Sequence, residues 1–198
     1  MVPFALMRHS DRAGHEAIYE PTYRLCDACK GPVLFIGKSL VYPRSTTGPL
    51  PNADLPDDAM KSFNEARLVA TDSPRAAAAL LRLAIEQLTL HVAPHLKGKQ
   101  LNDRIGELLK AGLDESVGEM LDSVRVIGNG GVHAGELDPD IDPSLVVSLF
   151  ELVNEVCDEL LSSPKRRKAI FDRIPQDQRD SIDRRNSKAL AGRKGDAA

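Results

Sequence analysis

Behind Asp142-Pro143 lies a segment whose apolar residues fall in two adjacent stripes, Leu145/Leu149/Leu152/Val156/Leu160 and Val146/Phe150/Val153/Cys157/Leu161. Residues three and four apart share a helix face, so these stripes together make an apolar surface wider than a surface helix needs. Such a helix must be covered on most of its sides. It is either the central member of a helical domain or a dimer interface. Asp as cap and Pro at the first helical position mark its start, and the pattern runs to about Ser162.

The chain supplies further helices to cover it. One is expected from about Asp57 to Ala70, with Ala59, Phe63, Ala66 and Ala70 on one side. A second starts at Ser73-Pro74 and runs to about Val92, stopped by Pro94, with Ala77, Leu81, Ala84 and Leu88 at helical spacing. Its Ala76-Ala77-Ala78-Ala79 run permits a close helix–helix approach. A short third helix, Leu101 to Lys110, ends before Gly112, and a fourth, capped by Asp114, runs from Glu115 to Ile127. The chain has no Trp and only 4% aromatic residues, so the core must be aliphatic, which favours helix packing over a sheet sandwich. Connections of a few residues favour antiparallel neighbours. The expected fold is mainly α, an antiparallel helical bundle over residues 56–163.

The flanks differ from this domain. Residues 1–44 read as a polar, irregular, knuckle-like segment with one strand near Pro32–Gly37, and residues 45–55, rich in Ser, Thr, Pro, Gly and Asn, read as a linker. Cys26 and Cys29 form a Cys-x-x-Cys pair, two of the four ligands of a tetrahedral zinc site. His9 and His15 are candidates for the other two; a second subunit is another source, and a decayed knuckle without metal is the third reading. Cys157 falls within a helical apolar pattern and reads as a core thiol. Three cysteines with one tight pair are not a disulfide framework. The opening apolar run is too short for a signal peptide and no stretch suits a membrane span, so a cytoplasmic location is expected.

Residues 164–198 hold eleven Lys/Arg against five Asp/Glu, a net of +6, which against the chain's formal −3 leaves −9 for residues 1–163. An acidic body thus carries a basic tail, led by Lys165, Arg166, Arg167 and Lys168. Such a tail binds RNA or DNA backbone, or else folds onto the acidic body or caps a dimer. It lacks interleaved aromatics for base stacking.

The most unusual motif follows the fourth helix: Gly128-Asn129-Gly130-Gly131-Val132-His133, then Ala134-Gly135-Glu136. Three glycines and an Asn permit a sharp turn. His133 beyond them either pins that turn through its ring nitrogens or serves as a general acid/base. Arg82 and Glu86, four apart on the second helix, suit an intrahelical pair, and Glu86 is also placed to orient His133 or Arg125.

Several of these stretches together resemble the domain-of-unknown-function 4145 family of bacteria. They are Ser73-Pro74-Arg75-Ala76-Ala77, Arg82-Leu83-Ala84-Ile85-Glu86-Gln87-Leu88, Leu101-Asn102-Asp103-Arg104-Ile105, and Arg125-Val126-Ile127-Gly128-Asn129 through His133-Ala134-Gly135-Glu136. The resemblance spans roughly residues 57–163. It implies a helical domain akin to the HEPN superfamily, which includes endoribonucleases, toxins and non-catalytic modules. It also implies a setting among restriction and phage-defence genes, and an N-terminal zinc knuckle of which residues 1–44 look like a reduced version. Catalytic HEPN enzymes share an Arg-polar-x-x-x-His motif, in which Arg steadies phosphate and His acts on the 2′-hydroxyl or the leaving group. Here Gly128 stands at the Arg position, and Arg125 lies one helical turn earlier.

The sequence therefore reads as a non-enzymatic interaction module, homodimeric, that binds nucleic acid or a partner protein in a restriction or phage-defence setting. Dimerisation would use the wide face of the fifth helix or the glycine turn of the fourth. The alternative is a metal-independent endoribonuclease with His133 as acid/base, Asn129 positioning phosphate and Arg125 stabilising transition-state charge.

Overall fold

The computed structural model describes residues 21–130 and 142–195. The chain divides into two units, Met1–Thr47 and Gly48–Ala198.

The described part of the first unit is an antiparallel sheet, β1 (Pro21–Leu25), β2 (Pro32–Ile36) and β3 (Ser39–Tyr42), in the order β1-β2-β3. This corrects the irregular segment expected from sequence, where only β2 was anticipated. Pro21 and Arg24 interrupt the apolar pattern of β1, and β3 has only four residues. Register decides which side chains share a face, because residues opposite one another across strands point the same way. Tyr23 lies opposite Leu34, Leu25 opposite Pro32, Pro21 opposite Ile36, and Leu34 opposite Tyr42. One face is thus almost wholly apolar.

The second unit is helical: α1 (Asp57–Val69), α2 (Pro74–Val92), a 3₁₀ turn (Pro94–Leu96), α3 (Leu101–Lys110), α4 (Glu115–Gly130) and α5 (Pro143–Cys157). A π-helical turn (Asp158–Ser162) leads into α6 (Ser163–Phe171), and α7 (Gln176–Gly195) follows. Local chemistry sets the starts. The Ser73 side chain accepts from the Ala76 N–H with Pro74 in the first turn, and the Asp142 carboxylate accepts from the Ser144 N–H with Pro143 behind it. Asp57 and Asp58 place negative charge at the start of α1. Gly112, at φ +99°, reverses the chain after α3, with the Leu113 N–H donating to the Leu108 carbonyl.

α2 is the centre, packed on α1, α4 and α5. It buries Ala77, Ala78, Leu81, Ala84, Ile85 and Leu88. Each of the larger of these contributes about 1.5–3 kcal/mol. α5 also packs on α4, and its Phe150 meets Phe63 of α1 edge to face, with ring centroids 5.0 Å apart. Both stripes of α5 are used inside the chain except at Leu145, which is exposed. Val146, Leu149, Phe150, Val153, Val156 and Cys157 are buried, and Leu152, Leu160 and Leu161 pack partly buried against them. Most of this face is therefore used inside the chain, as a helix packed among others requires. Burial also pushes the Cys157 thiol up to about 11, with Asp54 and Asp158 adding to the effect.

Much of that cover comes from the stretch expected to be a linker. Gly48–Leu55 belongs to the helical unit. The Asn52 N–H donates to Asn154 Oδ1 at 2.8 Å, Asn154 Nδ2 donates to the Leu50 carbonyl at 2.9 Å, and Ser162 Oγ donates to Asn52 Oδ1 at 3.1 Å. Gly48, at φ +84°, lies flat on Phe150, where an added Cβ would come within 2.7 Å of the ring. Leu55 is buried. The strap closes the side of α5 that the helices leave open.

Asn154→Ala removes both side-chain bonds to the strap and is expected to cost about 1–3 kcal/mol of unfolding free energy in urea denaturation. Gly48→Ala, strained in φ and pressed on Phe150, should lower stability by a similar amount.

Candidate functional site

The motif region begins where α4 crosses α2. Gly128 is not the start of a turn, as the sequence suggested. It lies within α4, which continues through Asn129 to Gly130. A Cβ built on Gly128 would sit 2.5 Å from Arg82 Cβ, 2.9 Å from the Ala78 carbonyl oxygen and 3.2 Å from Arg82 Cδ. The missing side chain is what lets the two helices touch, with Ala77 and Ala78 fully buried on the facing side. Packing outweighs the intrinsic helix cost of glycine, about 1 kcal/mol. The close approach expected of the alanine run is present here.

The Arg82 stem thus lies over the place where a side chain at 128 would stand. Its guanidinium pairs with Glu86 on the same helix, Nη1 to Oε1 at 2.7 Å, both side chains about a quarter exposed. The expected Arg82–Glu86 pair is therefore formed. Glu86 does not reach Arg125. Arg125 is held on α4 itself, Nε to Asp122 Oδ1 at 2.7 Å. Asn129 is half-buried in the last turn of α4. His133 lies outside the described residues, as do His9 and His15.

One residue of this cluster was missed from sequence. Arg104 of α3 is 5% exposed. It donates from Nη1 to the Glu86 carbonyl at 2.7 Å and to Thr89 Oγ1 at 3.1 Å, while Thr89 Oγ1 donates to the Ile85 carbonyl at 2.8 Å. Burial pulls the Arg104 guanidinium below its usual value, with Glu86 opposing and Arg82 adding to the shift. The available signal was its place on the face of Leu101, Ile105 and Leu108, a charge inside an apolar stripe.

The four cations at the head of the basic tail are placed on α6, none of whose residues is buried. Pro164 sits in the first turn of α6, so the helix does not stop at the boundary expected there. Lys165 binds Asp54, Arg166 grips Asp158 with two bonds of 2.8 and 2.9 Å, and Lys168 lies 3.6 Å from Asp172. Arg167 lines a groove with Glu155, Glu159 and the first turn of α4. The tail is thus rooted on the acidic body through its first residues. Beyond that root, α7 has no buried side chain over Gln176–Lys188.

In the first unit, Cys26 and Cys29 occupy the turn joining β1 to β2. The Cys26 N–H donates to the Gly31 carbonyl at 2.9 Å and the Lys30 N–H to the Cys26 carbonyl at 2.8 Å. Both cysteines are free. Backbone N–H groups of Cys29 and Ala28, then the Cys29 thiol, hold the Cys26 thiol below its usual value. The pair fits half of a tetrahedral site. Among the described residues no group of three His, Cys, Asp or Glu side chains is placed to hold a metal ion.

The profile described as Domain of unknown function (DUF4145) matches residues 64–173. That span runs from within α1 through α6 and covers more than half of the chain, so this protein belongs to the DUF4145 family. No curated protein and no solved structure matches it. No described helix is long and apolar enough to cross a membrane.

Removing the Arg104 anchor takes away two buried hydrogen bonds from a charged donor, to the Glu86 carbonyl and the Thr89 hydroxyl, so Arg104→Ala is expected to cost about 1–3 kcal/mol in chemical denaturation. The root of the tail should respond to acid. A hydrogen bond from Lys165 holds Asp54 below the ordinary carboxylate range, and Arg166 does the same for Asp158. A carboxylate depressed in the folded state stabilises above its unfolded value, about pH 4, and that stabilisation is lost as pH falls through the folded value. The thermal midpoint should therefore drop below about pH 4. The drop should shrink in the Asp54→Asn/Asp158→Asn double variant.

Proposed function

We propose that this chain is a non-enzymatic, homodimeric interaction module that binds the sugar–phosphate backbone of nucleic acid through its basic C-terminal arm. Its helical unit is read as a HEPN-like antiparallel bundle, working in the cytoplasm in a restriction or phage-defence setting. The observation that carries the reading is α7. This 20-residue helix bears six Lys/Arg against three Asp, and none of its described side chains is buried. Its mean hydropathy is low, so it contributes little to the core. A long cationic helix that the fold does not use is suited to phosphate contacts, which need charge and reach rather than a shaped pocket. Arg184, Arg185 and Lys188 are its exposed described cations.

The charge state of the α2–α4 crossing favours binding over catalysis. Gly128 occupies the position of the motif arginine, and the guanidinium groups nearest in sequence and space, Arg125 and Arg82, each hold a carboxylate of their own helix at 2.7 Å. Stabilising a phosphorane-like transition state calls for a donor not already committed to an anion. The ribonuclease reading, with His133, Asn129 and Arg125, rests on one specific feature: the Arg82 stem fills the space that Gly128 leaves, which brings a second guanidinium to the motif from α2.

Two measurements test the proposal. Fluorescence anisotropy with short RNA and duplex DNA should show binding that weakens steeply with salt. Arg184→Glu/Arg185→Glu/Lys188→Glu should abolish the binding without moving the thermal midpoint, and smaller charge removals should lower the salt slope by about 0.7–0.9 per cation lost. Incubation with a mixed RNA pool in excess chelator should give no cleavage. Cleavage that disappears in His133→Ala would overturn the non-enzymatic reading, and salt-independent or absent nucleic-acid binding would overturn the role of the arm.

A further inference from the structure

Where the first turn of α4 meets the end of α5, the helical unit leaves a groove of about 520 Å³. Leu113, Val117, Met120 and Leu160 line its apolar part, and Glu155 and Glu159 stand exposed in its wall. Asp114, also in the lining, is engaged with Ser116 at the start of α4, and Arg167 adds one positive charge. The surface around the groove is acidic too. Glu115 and Glu119 belong to the first turns of α4, and Glu151 lies one turn before Glu155 on α5. All five glutamates are exposed, and none is in an ion pair among the described residues. Spacing by four sets Glu151 and Glu155 on one face, about 5–6 Å apart at Cβ, and Glu159 extends them in the π-helical turn.

α7 carries the complementary pattern. Its three aspartates, Asp177, Asp180 and Asp183, all precede Arg184, and from Arg184 to Gly195 it holds five Lys/Arg and no carboxylate. Arg184 and Lys188 are four apart, the same step as the glutamates of α5. Within one chain the described cations do not reach the groove. Arg184 donates to the Asp180 carbonyl and Arg185 to Asn186 Oδ1. Both are exposed, as is Lys188, and none of the three is paired with a carboxylate among the described residues. A helix with so little apolar surface has no stripe to bury in its own core, and charge is what it offers to a partner.

We propose that the cationic half of α7 from one copy of this chain docks in the acidic groove of a second copy, and that the exchange is reciprocal. Arg and Lys stems cover apolar surface while their heads reach outward. Leu113, Met120 and Leu160 receive the stems, and Glu155 and Glu159 receive the heads. A two-fold pair closes on itself, so two weak contacts act together and no open chain of copies grows. Exposed ion pairs contribute little singly and are screened by salt, so the dimer is loose and forms at low ionic strength. Docking occupies the same cations that phosphate contacts need, and nucleic acid therefore competes with the groove for the arm. Only this competition rests on the nucleic-acid reading.

The test uses the full chain in analytical ultracentrifugation at about 0.01 M and about 1 M salt, where charges act over roughly 30 Å and 3 Å. A dimer at low salt that dissociates at high salt is expected. Glu151→Lys/Glu155→Lys/Glu159→Lys and, separately, Arg184→Glu/Arg185→Glu/Lys188→Glu should each weaken it by about tenfold or more. Circular dichroism should keep the helical signal in both, because Glu, Lys and Arg have similar helix propensity. At a concentration where neither variant dimerises alone, a one-to-one mixture should recover the dimer, since each arm then faces a groove of opposite charge. A monomer at low salt, a dimer indifferent to the groove variant, or a mixture that stays monomeric would each overturn the proposal. Short RNA added to the low-salt parent should dissociate the dimer. A dimer that binds RNA and keeps its mass would overturn the competition, whereas a parent that binds no RNA would overturn the nucleic-acid reading and leave the dimer standing.

Discussion

Contact between α2 and α4 at Gly128 governs the helical unit, because it sets how closely the motif-bearing helix lies against the central one. Backbone meets side-chain stem there with no intervening Cβ. From that crossing, Leu121 and Val124 of α4 are carried into the same apolar cluster as Leu81, Ile85 and Leu88 of α2. α5 then closes over both. Its double apolar stripe needs two helices on one side and the Gly48–Leu55 strap on the other, and it has both. Close packing of this kind transmits small changes of volume directly, so a single methyl at 128 is felt across the unit.

The same crossing decides the chemistry around it. Space that an arginine at 128 would have filled is taken by the Arg82 stem, and Arg82 is then near enough to Glu86 to pair with it. Arg104 approaches the Glu86 main chain from α3, tying a third helix to this place through its carbonyl and the Thr89 hydroxyl. The result is a cluster in which cations hold the fold together. Exposed positive charge is carried elsewhere, on α7, beyond a root where Lys165 and Arg166 fasten the tail to Asp54 and Asp158.

Helix starts and stops were legible wherever a short-range interaction writes them: Ser73-Pro74, Asp142-Pro143 and the positive-φ Gly112 each act within four residues. The mainly helical character followed from periodicity and from a core poor in aromatics. What escaped were roles set by distant partners. A glycine in a close helix crossing and a glycine in a turn look alike until the facing helix is known, so Gly128 was read as a turn. The strap has the composition of a linker, and Asn154, 102 residues away, together with Ser162, makes Asn52 a fixed point. β1 is broken by Pro21 and Arg24, and β3, four residues long, is too short to show a pattern. Arg104 was given no role, although its spacing with Leu101, Ile105 and Leu108 placed it inward.

Comparing two glycine-to-alanine changes by urea denaturation tests the central claim most directly. Gly106 lies within α3, and nothing stands within 4 Å of a Cβ there. Alanine at 106 should therefore add about 0.5–1 kcal/mol through helix propensity alone. Alanine at 128 gains the same propensity but must push the two helices apart, and is expected to lower stability by about 1–3 kcal/mol. Opposite signs for the two substitutions are the prediction. A gain in stability at both positions would show that α2 and α4 do not meet at Gly128, and would contradict the account.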